Sequence, residues 1–188
     1  DISFDYLKLN IAPLPLLHHE VIITEGNLDD ADIDMLIPES KDTTKTVVGW
    51  KILLKDFEIN KSKLALRLPN IAPMKADIEN VALEHFWLDF DKPEFSASRI
   101  TTHNLDYTFD EISINKICLD ADSFMFRTIE KNDSSENELK LNVKKLSLQA
   151  DSYGLNIDSM RGNILLAGNK LKLSKFNVTT PYSQLSGN

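Results

Sequence analysis

A chain of 188 residues can build one domain with a real core, and 42% hydrophobic with 27% charged residues is the composition of an ordinary folded protein. The formal net charge of −8 argues against a nucleic-acid backbone as the main partner, since phosphate binding needs clustered Lys and Arg, and against simple electrostatic docking on anionic lipid. The single cysteine, Cys118, excludes an internal disulfide framework. With Asp1 first, no basic-then-apolar leader and no apolar run near ~18 residues, the sequence reads either as a mature chain or as one β-rich segment, 1–188, of a longer protein whose missing ends would carry any anchor.

In chain order, the first feature is helical. Leu14 to Glu20, with Pro15 suited to a first turn, predicts one or two turns lying across the end of a sheet. From there on, two-residue alternation dominates, the pattern of strands with one dry face and one wet face. Ala31, Ile33, Met35 and Ile37 alternate with Asp30, Asp32 and Asp34. A polar stretch near 39–46 predicts a loop, after which Trp50, Ile52 and Leu54 alternate with Lys51 and Lys55. Leu64, Leu66 and Leu68 follow, then Phe86, Leu88 and Phe90 against Trp87, Asp89 and Asp91, then Leu105, Tyr107 and Phe109 against Asp106, Thr108 and Asp110. Ile117 and Leu119 precede a second polar stretch, 130–138, also expected to be a loop, and Leu146 with Leu148 and Leu171 with Leu173 complete the series. Neither polar stretch reads as an interdomain linker.

Residues 114–126 repeat at 143–155, an offset of 29. Both copies contain an apolar step of three, Ile114 to Ile117 and Val143 to Leu146, before alternation resumes. A step of three reverses the face unless an extra residue bulges out, so the same bulge or turn is expected in both units.

Candidate chemistry dissolves into this alternation. Asp29, Asp30, Asp32 and Asp34 suggest calcium, but an EF-hand loop counted from Asp30 has Met35 where Gly is needed and Lys41 in place of the final Glu. His18 and His19 are adjacent and diverge on any regular element, His85 and His103 are isolated, and no metal site is expected. Cys118 falls on the strand face opposite Ile117 and Leu119, as a small strand residue. The glycosylation triplets at Asn132 and Asn177 matter only in a eukaryotic secretory setting. Without a nucleophile elbow, phosphate-binding glycine loop or metalloprotease helix, the chain reads as neither an enzyme nor a cofactor protein. Aromatics concentrate between Phe86 and Phe126, where they suit either the core of a β-sandwich or an open groove lined for acyl chains.

The order of five segments resembles one family. Phe4 to Leu17 reads as a strand entering a Leu-Leu turn. Glu20–Leu28, Ala31–Met35 and Trp50–Ile59 follow, and Leu171–Leu185 ends in a threonine–x–x–serine step, Thr180 to Ser183. This resembles the AsmA-like family, nearest its TamB (translocation and assembly module) branch. The resemblance implies an elongated, curled, mostly antiparallel sheet, groove-like or taco-like, in a periplasmic segment anchored to the inner membrane through a region absent from this chain. It also implies phospholipid transport or outer-membrane protein assembly beside an outer-membrane barrel partner. The groove would be lined by the alternating apolar residues named above, from Ile33 to Leu173, with phospholipid acyl chains as ligand. The competing reading is a structural or interaction module, a β-sandwich of a surface or periplasmic protein. Open sheet edges are also expected to allow edge-to-edge dimers of the fragment.

Overall fold

Alternating apolar and polar residues fold here into strands of up to twenty residues, all in one sheet. The computed structural model describes residues 1–36, 49–67, 72–89, 94–131 and 134–188. Twelve strands form one open, curled, mostly antiparallel sheet: β1 (Ile2–Ser3), β2 (Tyr6–Ala12), β3 (Glu20–Asp29), β4 (Asp32–Leu36), β5 (Lys51–Arg67), β6 (Met74–Asp89), β7 (Glu94–Phe109), β8 (Ile112–Lys131), β9 (Ser134–Ala150), β10 (Leu155–Ala167), β11 (Lys170–Thr179) and β12 (Gln184–Gly187). From β5 onward each strand pairs antiparallel with the next, so most of the sheet is a meander.

The N-terminal end is built differently. β1 pairs with β4 and β2 with β3, so residues 2–12 run antiparallel to 20–36 as one interrupted hairpin. β3 and β4 then lie parallel to successive halves of β5, with Asp29 opposite Asn60 and Asp32 opposite Lys63. The backbone stays stitched across the interruption: the Asp30 amide donates to the Asn60 carbonyl at 3.0 Å and the Lys63 amide to the Ala31 carbonyl at 2.7 Å. The hairpin's turn is the expected short helix, a 3₁₀ segment at Leu14–His18 with proline in its first turn, ended by His19 at φ 59°.

One expected loop is corrected. Residues 130–131 and 134–138 are strand: β8 and β9 pair through Arg127–Glu138, Ile129–Glu136 and Lys131–Ser134. Polarity misled here because backbone pairing is indifferent to side-chain polarity. Near the strand ends the charges pair with each other instead: Glu138 lies 2.8 Å from Arg127 and 3.1 Å from Lys140. The loop expected near 39–46 lies outside the described residues.

The shared step of three does produce matching bulges. In β8, Ile114 to Ile117 is a step of three opposite a step of two in β7, from Leu105 to Tyr107. In β9, Val143 to Leu146 stands likewise opposite Met160 to Gly162 of β10. Similar steps recur along the sheet, and seven of them carry a non-glycine residue in the left-handed region, at φ between 45° and 57°: Asp30, Lys61, His85, Asn104, Lys116, Ser123 and Lys175. Each occupies the second of the two positions between the flanking residues, as Lys61 does between Ile59 and Ser62, His85 between Leu83 and Phe86, and Ser123 between Ala121 and Phe124.

Candidate functional site

The strand register brings most of the apolar residues of the long strands onto one face. Cross-strand partners share a face, and along this sheet apolar residues are partnered with apolar residues. Between β5 and β6 the partners are Ile52–Leu88, Leu54–Phe86, Phe57–Leu83, Ile59–Val81, Leu64–Ala76 and Leu66–Met74. β6 continues them onto β7 through Leu88–Phe95, Leu83–Ile100, Ile78–Leu105, Ala76–Tyr107 and Met74–Phe109. β7 passes them to β8 through Phe95–Phe126, Ala97–Phe124, Ile100–Ala121, Thr102–Leu119 and Leu105–Ile117. The series crosses β9 and β10 by Leu119–Leu146, Ala121–Val143, Leu148–Ile157 and Leu141–Ile164, and reaches β11 at Ile164–Leu173 and Leu166–Leu171. Toward the N-terminus it continues through Val21–Ile52, Ile23–Leu54, Ile33–Leu64 and Met35–Leu66.

This face is open. Among the described residues the strands form a single sheet, with no second layer over it. Only its deepest members are buried, Ala121 being fully inaccessible, while Leu64 is 37% and Leu171 63% exposed. The chain exposes 12606 Å², well above the roughly 9,100 Å² of a compact protein of this mass. Four phenylalanines form a surface within the face: the Phe95 ring lies 6.3 Å from Phe86, 5.6 Å from Phe124 and 4.8 Å from Phe126, centroid to centroid.

The opposite face is mostly polar by the same register, apart from an apolar row of Ile22, Leu53 and Trp87. Glu58, Ala82, Thr101, Asp120 and Lys145 form one row across β5 to β9. Arg99 donates to both Asp120 oxygens, at 3.0 and 3.2 Å, and lies 3.5 Å from Glu84, while Lys144 is 2.8 Å from Asp122. The hydrogen bond from Arg99 holds the Asp120 carboxyl below the ordinary carboxylate range, against a smaller opposing effect of burial. A hydrogen bond from Lys140, joined by Arg127, does the same for Glu138. Asn60 donates to Asn27 at 3.1 Å and to Asp29 at 2.8 Å and accepts from Asn80 at 2.7 Å, an amide and carboxylate row on the same polar side. Cys118 is also on this side, its sulfur 3.8 Å from His103 Nδ1.

The sequence-predicted groove residues fall as follows. Ile33 and Met35 lie on β4, and Ile52, Leu54, Leu64 and Leu66 on β5. Phe86 and Leu88 lie on β6, and Leu105, Tyr107 and Phe109 on β7. Ile117 and Leu119 lie on β8, Leu146 and Leu148 on β9, and Leu171 and Leu173 on β11. Trp50 just precedes β5, its ring 5.3 Å from that of His19. Leu68 and Phe90 lie outside the described residues. Plain alternation left out Phe57, Ile59, Leu83, Phe95, Ile100, Phe124 and Phe126, which the structure joins to the same face. The signal that finds them is the step of three, read in every strand instead of in two.

Comparison of the chain with protein-family models, with curated proteins and with solved structures finds no match in any of the three.

Proposed function

We propose that this chain presents its apolar face as a groove for phospholipid acyl chains, as a segment of an envelope-spanning protein of the AsmA-like kind. The observation that carries the reading is the face itself, apolar across β3 to β11, half-buried along the long strands and without a second layer over it among the described residues. Each methylene that moves from water onto such a surface gains about 0.8 kcal/mol. A surface of similar character at every strand offers similar gain at each position, so a chain can slide without a deep trap. The segment would work in the periplasm, tethered to the inner membrane and meeting an outer-membrane barrel partner through regions outside this chain. The same groove could shelter strands of outer-membrane proteins during assembly. A structural or interaction module is the competing reading. In sandwich form it would need a second sheet over the apolar face, and the observed strands make one open sheet.

Photo-crosslinking residues placed at Phe86, Leu88 and Phe109, with a control at Thr101 on the polar face, test the proposal. Phospholipid captured at the first three sites and not at the control is the expected result. Capture of protein alone at all sites would sink it.

A further inference from the structure

We infer that the rows of left-handed residues are a bending device built into the sheet, and that they set the direction and width of the trough, which runs across the strands. Two rows are aligned by register. Asp30 is bonded to Asn60 beside Lys61. Lys61 lies opposite Glu79, because Asn60 pairs with Asn80 and Ser62 with Ile78; Glu79 lies opposite Asn104 by the same logic and accepts a 2.6 Å hydrogen bond from it. Lys116 continues this first crease, its amide held at 2.7 Å by Asp106. The second crease joins His85 to Ser98, 3.5 Å apart, and Ser98 to Ser123 across β7 and β8; Lys175 follows on β11.

Burial gives the direction of the bend. Ala31, Ser62 and Ile78, beside the first crease, and Ala97, Ala121 and Val143, beside the second, are buried members of the apolar face, at 7% exposure or less; Ala150, at 4%, is buried on that face away from both creases. A sheet bent away from this face would expose them most. The creases therefore fold the sheet toward its apolar side. The left-handed residue also lets the strand step three residues between apolar positions without changing face, so bending and apolarity are kept by the same position. The panel between the creases is about six residues wide, on the order of 20 Å of strand. Its width is fixed by register and not by strand length, so it persists from strand to strand.

This inference holds whether or not lipid occupies the trough, and its test involves no lipid. In a Cys118→Ser background, spin labels at Lys51→Cys and Lys63→Cys on β5 span both creases. A straight strand would separate their backbones by about 40 Å. Two triple variants at Lys61, Asn104 and Lys116 are compared. Glycine adopts φ near 50° freely, and valine does not. The glycine triple should keep the parent label distance. The valine triple should lengthen it or, where it cannot straighten, show a clearly lower urea midpoint than the glycine triple. Matching distances and midpoints for the two triples would overturn the inference, as would a glycine triple with a lengthened distance.

Discussion

Gly162 on β10 lies directly against Phe176 on β11: a Cβ at Gly162 would stand 2.7 Å from the Phe176 Cα and 3.1 Å from the Lys175 carbonyl oxygen. Gly187 on β12 pairs with Phe176 from the other side, where a Cβ would come within 2.6 Å of the ring. The Phe176 ring thus fills the space over Gly187, while the backbone of the same residue closes on Gly162, next to the crease at Lys175. Near the C-terminal edge, where few neighbours cover a strand, the ring supplies packing over Gly187 that an alanine there could not.

Gly162→Ala should therefore be among the most damaging small substitutions. Its φ of 138° suits glycine, and the obstructing atoms belong to backbone, which cannot swing aside. A loss of at least about 2 kcal/mol is expected from strain and overpacking together. Gly154→Ala is the comparison. Its φ is also positive, at 60°, but nothing lies within 4 Å, so only the backbone term applies, about 1 kcal/mol. Urea midpoints of the two variants measure the difference, and equal losses would refute the packing account.

Neighbouring residues on β7 should respond oppositely to the same charge. Ile100 pairs with Leu83 and Ala121 on the apolar face, while Thr101 pairs with Ala82 and Asp120 on the polar one. Ile100→Lys removes apolar contacts and places an ammonium among them, at a cost of about 2–4 kcal/mol. Thr101→Lys lands beside Asp120 and should stay within about 0.5 kcal/mol of the parent. Denaturant unfolding of the pair checks the face assignment, and a more damaging Thr101→Lys would reverse it.

The fold class was legible because alternation survives in long stretches: Phe86–Leu88, Leu105–Tyr107–Phe109 and Leu171–Leu173 all read as strands and are strands. What alternation could not show was the continuation of a strand past its creases. Leu54 and Phe57 differ in parity, so a strict two-residue reading ends one strand and discards the next apolar set, although both residues lie on β5 and pair with Phe86 and Leu83 of β6. The bulge inferred at Ile114–Ile117 and Val143–Leu146 was a local instance of a rule that runs through the sheet. The parallel placement of β3 and β4 against β5 had no local signature, because it depends on how a crossover routes the chain and not on the strands themselves.

The Arg99–Asp120 pair should give stability a modest acid dependence. Asp120 has its carboxyl depressed in the folded state, first by the hydrogen bond from Arg99. A depressed carboxyl stabilises the fold above its unfolded pKa, near 4, and this contribution disappears as pH falls through the lower folded value. Both side chains are about one-third exposed or more, so the effect should stay below about 1 kcal/mol. Arg99→Gln should lower the urea midpoint at pH 7 and leave it nearly unchanged at pH 3. A larger loss at pH 3 than at pH 7 would contradict the sign.

Single-residue deletions should distinguish crease positions from panel positions. In β7 the apolar face reads Ile100, Thr102, then Leu105, Tyr107 and Phe109, with the crease residue Asn104 inside the step of three. Deleting Asn104 turns that step into a step of two, and Leu105, Tyr107 and Phe109 can remain on the apolar face by plain alternation. The hydrogen bond to Glu79 is lost and the neighbouring strands keep their own bulges, so the cost should stay near about 1–2 kcal/mol. Deleting Thr101 makes Ile100 and Thr102 adjacent and drives the following residues to the polar face, where Leu105 can no longer meet Ile78 and Ile117. That variant should lose several kcal/mol or fail to unfold cooperatively. The two deletions remove one residue each from the same strand, three positions apart, so composition and length cannot explain a difference. Equal urea transitions for both would mean that the left-handed position is incidental to how the strand keeps its face.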